Sequence, residues 1–342
     1  MTTAKLNVLQ LHLAGFDSFP LALPSRPQLV KGAFSRYERY TLRDLSGLKD
    51  YAAARGIRLI AELDTPGHAA SWCTGMPELC PAPTGRCRQP LNPAINETFE
   101  TIEAVLRDVV SVLDDEFIHL GEDEFAKDYA CWLSSPSITA WLKTQGDWSA
   151  DDASKYFIER THTIAKKLRK QTLVWDEVWN LLGTKLDKET VVIHTRFRSA
   201  QDRVGKDACV RNATAHGYRV LRSHNSAWYL DQTVNKNWTA QYDFDPCFNL
   251  TASQCSFVLG GAACAWGGTV DASNLMQTVW PRSGAIAEKL WSPEIATGSS
   301  EDNEPRYVAF RCYLNRRGFA AAPALNTIAR SAPPGRGSCY WQ

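Results

Sequence analysis

The chain has 342 residues, 44% hydrophobic and 22% charged, which suits a soluble globular protein the size of a single α/β barrel. Its formal net charge is +1, so no basic surface points to nucleic acid or to an anionic membrane. No apolar run reaches the ~18 residues that a transmembrane helix needs.

In chain order, KLNVLQLHL (Lys5–Leu13) predicts a strand, and LSGLKDYAAARG (Leu45–Gly56) a helix that closes on a glycine. IRLIAELD (Ile57–Asp64) predicts the next strand, and TFETIEAVLRDVVSVL (Thr98–Leu113) has apolar residues at helical spacing. EFIHLGED follows as a strand, then SKYFIERTHTIAKKLRK (Ser154–Lys170) as a helix. TLVWDEVW, TVVIHTRF, YRVLRSH and SFVLGGAACAW bring the strand candidates to seven. Continuous apolar strands alternating with amphipathic helices indicate a parallel sheet covered by helices. The tail SAPPGRGSCYWQ is rich in Pro and Gly and reads as irregular over about residues 320–342.

Polar residues recur where these strands end: His12, Asp64 with His68, Asp176 with Glu177, His194, His224 and Trp266. That rim carries the chemistry of β/α barrels, although loops are polar in any protein. The sharpest case is DEFIHLGEDE, in which an apolar run stops at a glycine and Glu122, Asp123 and Glu124 follow. Adjacent like charges repel, so a chain has little structural reason to gather them at the end of a buried strand. The bland reading is a solvated acidic loop; the functional one is carboxylate chemistry.

Ten cysteines run from Cys73 to Cys339 without a repeated CxxC pattern, so zinc ligation is not expected. Sequons at Asn96, Asn212, Asn237 and Asn249, together with so many cysteines, favour an oxidising secretory environment. The start MTTAKLNVLQ has no apolar core or cleavage site of a signal peptide, so either the chain is cytosolic or its true N-terminus lies upstream.

Several of these stretches occur in the order found in one family. KLNVLQLHL with SFPL, GIRLIAELDTPGHAASW, FIHLGEDE followed by CWLSSPSI, LVWDEVW, AWYLD, GGAACAWGGTVDASNL and WPRSGAIAEKLWS resemble glycoside hydrolase family 20, the β-N-acetylhexosaminidases. The likeness covers nearly the whole chain. It implies a (β/α)8 TIM-type barrel lacking its first strand, occupying residues 1–342, without the small α/β domain that usually precedes it. It implies an exo-glycosidase that removes terminal β-linked GlcNAc or GalNAc and retains configuration without an enzyme nucleophile. The substrate's own 2-acetamido oxygen attacks the anomeric carbon. Asp123 would orient and charge-stabilise the acetamide N–H, and Glu124 would protonate the leaving oxygen and then activate water. Trp175 and Trp266 match tryptophans that enclose the sugar and its acetamide methyl. Tyr229 matches the tyrosine that hydrogen-bonds the acetamide oxygen, and Asp231 an acid that binds sugar hydroxyls. His68 and His119 match polar residues that support the acid pair.

The resemblance has departures. The first strand of the family, with an arginine that clamps sugar hydroxyls, is missing from this chain. HLAGFD puts Gly15 or Phe16 where a supporting acid is usual, Ala262 and Gly268 stand where glutamates are usual, and Thr195 stands at a third pocket tryptophan. Glu122 replaces the second glycine of the usual His-x-Gly-Gly-Asp-Glu. If strand alternation continues, Glu122 lies beside Glu124 and makes it a weaker acid; otherwise it faces solvent or obstructs the acetamide pocket. The second reading of the chain is therefore an impaired or truncated family homologue that binds sugar or a partner.

By the same likeness Cys131 pairs with Cys87 or Cys80, and Cys312 with Cys339; Cys247 and Cys255 are close enough to close a short loop. No metal or cofactor is called for. The expected partner is an oligosaccharide or glycoconjugate, with no nucleic acid and no membrane span, and the chain as a homodimer. The expected location is the secretory pathway, lysosomal or extracellular.

Overall fold

The computed structural model describes residues 1–82, 85–196, 208–232, 237–325 and 339. The chain divides into two compact units. The larger holds residues 7–193, and the smaller holds residues 194–342 with residues 3–6. The expected parallel α/β architecture is present, with all seven predicted strands.

In the larger unit, β1 (Val8–Ala14) pairs in parallel with β2 (Arg58–Thr65), from Val8 opposite Arg58 to His12 opposite Glu62. β2 pairs with β3 (Phe117–Gly121), with Glu62 opposite His119 and Thr65 opposite Gly121. β3 pairs with β4 (Gln171–Trp175), and the Thr172 N–H donates to the Thr190 carbonyl at the start of β5 (Val191–Thr195). From Leu59 onward every residue of β2 is buried, as are all of β5 and all but the first residue of β3 and β4. That is why these strands read as unbroken apolar runs.

Helices pack against them. α1 (Leu42–Ala53) opens on a capping box between Thr41 and Asp44. α2 (Asn96–Val110) buries Phe99, Ile102, Val105, Leu106 and Val109. α3 (Ala150–Lys167) opens on a Ser149–Asp152 capping box and buries Ala153, Phe157, Ile158, Thr161, Ile164 and Ala165. The two stripes meet at Phe99 and Phe157, ring centroids 5.2 Å apart. The DEVW of TLVWDEVW does not continue the strand: it opens helix α4 (Asp176–Leu182). A two-residue parallel pair, Leu21–Ala22 with Tyr40–Thr41, was not foreseen in the sequence.

In the smaller unit, the Ser223 N–H donates to the Thr195 carbonyl, and β6 (Arg219–Arg222) pairs in parallel with β7 (Val258–Gly261). Helices α5 (Arg282–Trp291) and α6 (Ser300–Arg316) pack with Trp238 and Tyr242, and Trp238 stacks on Tyr307 at 4.1 Å.

Four disulfides are present among the described residues. Cys87–Cys131, Cys247–Cys255 and Cys312–Cys339 are as expected. Cys80 pairs with Cys73, which removes it as the alternative partner of Cys131. Of the tail expected to be irregular, residues 326–338 and 340–342 lie outside the described residues.

Candidate active site

The larger unit gathers acids at the C-terminal ends of β2 and β3. Glu62 and Asp64 are two apart on β2 and therefore share a face. Glu62 is 1% exposed. It accepts from Gln10 Nε2 at 2.7 Å and from the indole Nε1 of Trp175 at 3.0 Å. His119 Nδ1 lies 3.4 Å from it and His12 Nδ1 3.5 Å. Burial works against the Glu62 carboxylate, but His119, His12 and the Gln10 donor outweigh it and hold Glu62 below the ordinary carboxylate range. His119 Nδ1 accepts the Gly121 N–H at 3.0 Å. Burial pushes the His119 pKa down, against the opposing pull of Glu62 and Asp123. His12 goes the other way: burial opposes its charge, but Glu62 raises its pKa.

Beyond β3 the backbone turns left-handed. Gly121, Glu122 and Glu124 have φ of 72°, 65° and 50°. Glycine is required at 121, because a Cβ there would stand 1.9 Å from Asp64 Oδ1. That oxygen also accepts the Glu122 N–H at 3.1 Å. Burial first, and then the charge of Asp123, push the Asp64 carboxyl well above the usual carboxylate range, and it shares a hydrogen bond with Asp123. Asp123 is 3% exposed, whereas the Glu124 side chain is one-third exposed. His68 Nε2 lies between them, 3.8 Å from Asp123 Oδ2 and 3.6 Å from Glu124 Oε2. Lys127 Nζ meets the same Glu124 oxygen at 2.7 Å. Glu124, Phe125, Tyr129, Glu177 and Asn180 line a cleft of about 220 Å³.

Glu122 corrects an expectation. It is neither beside Glu124, nor in solvent, nor set across a pocket mouth. It is fully buried and faces α3, with Oε1 accepting from the Thr161 hydroxyl at 2.6 Å and Oε2 3.0 Å from His162 Nε2. The strand has ended at Gly121, so its alternation no longer applies.

The structure thus brings Asp123, Glu124 and His68 together, and puts His119 against Trp175, ring centroids 5.1 Å apart. Glu62 was not singled out in the sequence as a site residue, nor was Lys127. The i, i+2 spacing of Glu62 and Asp64 on a buried strand was the available signal for the first.

The smaller unit holds the other candidates. Tyr229 pairs with Cys264 in an isolated parallel bridge, and Leu230 N–H donates to the Cys264 carbonyl at 2.7 Å. This brings Tyr229 and Trp266 to a ring separation of 6.1 Å, and Trp266 N–H donates to Asp231 Oδ1 at 3.3 Å. So Tyr229, Asp231 and Trp266 form one cluster. His194 is buried, its Nε2 2.7 Å from Ser223 Oγ, which donates to the Ala262 carbonyl. His224 Nδ1 meets Ser226 Oγ at 2.9 Å. Thr195 is buried in the sheet with its hydroxyl on the Leu221 carbonyl, and a Cβ at Gly268 would meet open space.

A family model, "Glycosyl hydrolase family 20, catalytic domain", matches residues 1–294. The chain belongs to glycosyl hydrolase family 20. It is 40% identical to Beta-hexosaminidase 1 of Arabidopsis thaliana over the whole of this chain, and 35% identical to Beta-hexosaminidase subunit alpha of Rattus norvegicus over 94% of it. It spans 61% of the length of each of those curated relatives. Among solved structures it resembles a Flavobacterium johnsoniae chitobiase, with a TM-score of 0.81 and 26% identity over 93% of this chain and 48% of that one. A GH20 exo-β-N-acetylglucosaminidase of Vibrio harveyi shares the fold at 20% identity, with a TM-score of 0.80 over 95% of this chain and 55% of that one. The fold of this family 20 chain is α/β of the TIM-barrel type. Among its described residues, no helix is long and apolar enough to cross a membrane.

Proposed function

We propose that the protein is an exo-β-N-acetylhexosaminidase that removes terminal β-linked GlcNAc or GalNAc with retention, using the substrate's acetamide as nucleophile. The observation that carries this reading is the divergence of two neighbouring acids. Asp123 is buried beside Asp64, and Glu124, the next residue, reaches an open cleft. A buried charge can orient an acetamide N–H and stabilise the oxazolinium ion that forms when the acetamide oxygen attacks. An accessible carboxyl can pass a proton to the departing oxygen and take one from water. His68, within 4 Å of both acids, bridges the two roles. In the larger unit Trp175 would contact the acetamide, with His119 holding Glu62 and Trp175 in place; in the smaller unit Tyr229 and Trp266 would be sugar-binding residues and Asp231 would bind sugar hydroxyls. The intact acid pair favours this reading over an impaired binding homologue. The natural substrate would be an oligosaccharide or glycoconjugate met in the secretory pathway, in a lysosome or outside the cell, by a chain that works as a homodimer.

The test is chromophore release from an aryl N-acetyl-β-glucosaminide, with the matching aryl β-glucoside as control, and the anomer of the first product read by NMR. Release from the acetamido substrate alone, with the β-anomer formed first, is expected. Equal cleavage of the plain glucoside, or α-anomer first, would overturn the mechanism; no release from either would overturn the activity.

A further inference from the structure

Glu122 is a buried acid that the mechanism above does not use. It stands where the family pattern has glycine, and it keeps a glycine-like conformation, φ 65°, at a residue that carries a side chain. A non-glycine residue held there stores about 1–3 kcal/mol of backbone strain. The local structure resists that strain at both ends of the residue. The Glu122 N–H donates to Asp64 Oδ1 at 3.1 Å, and the carboxylate reaches α3, where the Thr161 hydroxyl and His162 Nε2 meet its two oxygens at 2.6 and 3.0 Å. Thr161 is itself buried on a helix that opens on a capping box and packs on α2 through Phe157, so the anchor is rigid. Asp123 and Glu124 follow Glu122 by one and two residues. Any rotation about the Glu122 backbone therefore sweeps both acids, and a misplacement of about 1 Å at a reacting group can lower a rate ~10²-fold.

We propose that Glu122, held by Thr161 and His162, is a positioning residue that fixes the left-handed turn from which Asp123 and Glu124 project. The proposal rests on the activity argued above. It makes Glu122 a strut between β3 and α3, acting through its neighbours, with no contact of its own to the substrate.

The test compares Glu122→Gln, Glu122→Ala and Thr161→Val with the wild type on two N-acetyl-β-glucosaminides, one with a good aryl leaving group and one with a poor alkyl leaving group. Gln keeps an oxygen for Thr161 and an amide for His162, so it should stay within about threefold of wild type on both. Ala should lower kcat on both substrates, because Asp123 is displaced, and by a clearly larger factor, ~30–100-fold, on the alkyl one, which also needs acid assistance from Glu124. KM should change by less than about twofold. Val, which removes only the Thr161 hydroxyl, should follow the same pattern ~3–10-fold. A merely structural role would lower the rates on both leaving groups by the same factor, and that result, a loss confined to KM, or a fully active Ala variant would overturn the proposal. A crystal structure of Glu122→Ala gives a reading that needs no turnover. Residues 121–124 should leave their left-handed turn, and Asp123 should move away from His68; an unchanged turn refutes the strut. Should the wild type cleave neither substrate, the activity fails, and that structure still decides the strut.

Discussion

The indole Nε1 of Trp175 donates to Glu62 Oε1 at 3.0 Å, and His12, on the other side of β2, approaches the second oxygen of the same carboxylate. One buried acid thus links β1, β2, β3 and β4 through Gln10, His12, His119 and Trp175. Glu62→Ala leaves those groups facing a hole, and breaking a buried charged network of this kind typically costs about 3–5 kcal/mol. Urea denaturation should show that loss, and Glu62→Gln, which keeps one acceptor, a smaller one. A Glu62→Ala protein as stable as wild type would mean that the network contributes nothing to the fold.

Asp64 sets a dependence on pH. Its folded pKa lies above the unfolded value, so its contribution is complete below the unfolded pKa and is lost as pH rises through the folded one. Asn mimics the protonated carboxyl at every pH. Asp64→Asn should therefore match wild type near pH 4 and become progressively more stable than wild type as pH rises toward 8. Thermal melts across that range read the difference directly; parallel curves would refute the raised pKa.

Glu124→Gln keeps shape but has no proton to give. On glycosides with poor leaving groups kcat should fall ~10²–10⁴-fold, while binding of a thiazoline mimic of the oxazoline persists. A variant within a few-fold of wild type would reassign the proton donor.

Asp123→Asn should also cripple turnover, for a different reason: the charge that offsets the oxazolinium is gone. Its loss should be similar for good and poor leaving groups, whereas that of Glu124→Gln should grow as the leaving group worsens. Measuring both variants on both substrates separates the two roles, and identical patterns would show that they had been misassigned.

Gly121→Ala combines a φ of 72° with a Cβ that would sit 1.9 Å from Asp64 Oδ1. The strain of the φ alone is about 1–2 kcal/mol, and the clash adds to it. A melting temperature several degrees lower is expected; an unchanged one would mean that the β3 end adapts freely.

The strands were legible because buried parallel strands are written as unbroken apolar runs, such as Leu59 to Asp64 and Val191 to Thr195. Asp123 and Glu124 stood out as candidates because adjacent acids at the end of a buried strand have little structural reason to be there. The direction of Glu122 was not. Alternation assumes that a strand continues, and here the chain leaves the extended region at Gly121, which only φ values reveal. Glu62 was hidden for another reason: its partners Gln10, His119 and Trp175 lie on three other strands, so no local pattern marks it. The Cys73–Cys80 bridge was likewise silent, since seven residues of separation leave Cys80 as plausible a partner for Cys131 as for Cys73.

The Cys87–Cys131 bridge spans 44 residues and encloses α2, β3 and the turn with Asp123 and Glu124 inside one covalent ring. A protease that cuts once anywhere within that ring opens a loop but separates nothing, because both fragments remain tied through sulfur. Such a nicked molecule migrates as a single chain until a reductant is added. The acid turn of a nicked molecule stays peptide-bonded to one fragment and is tied to the other only by the bridge and by packing.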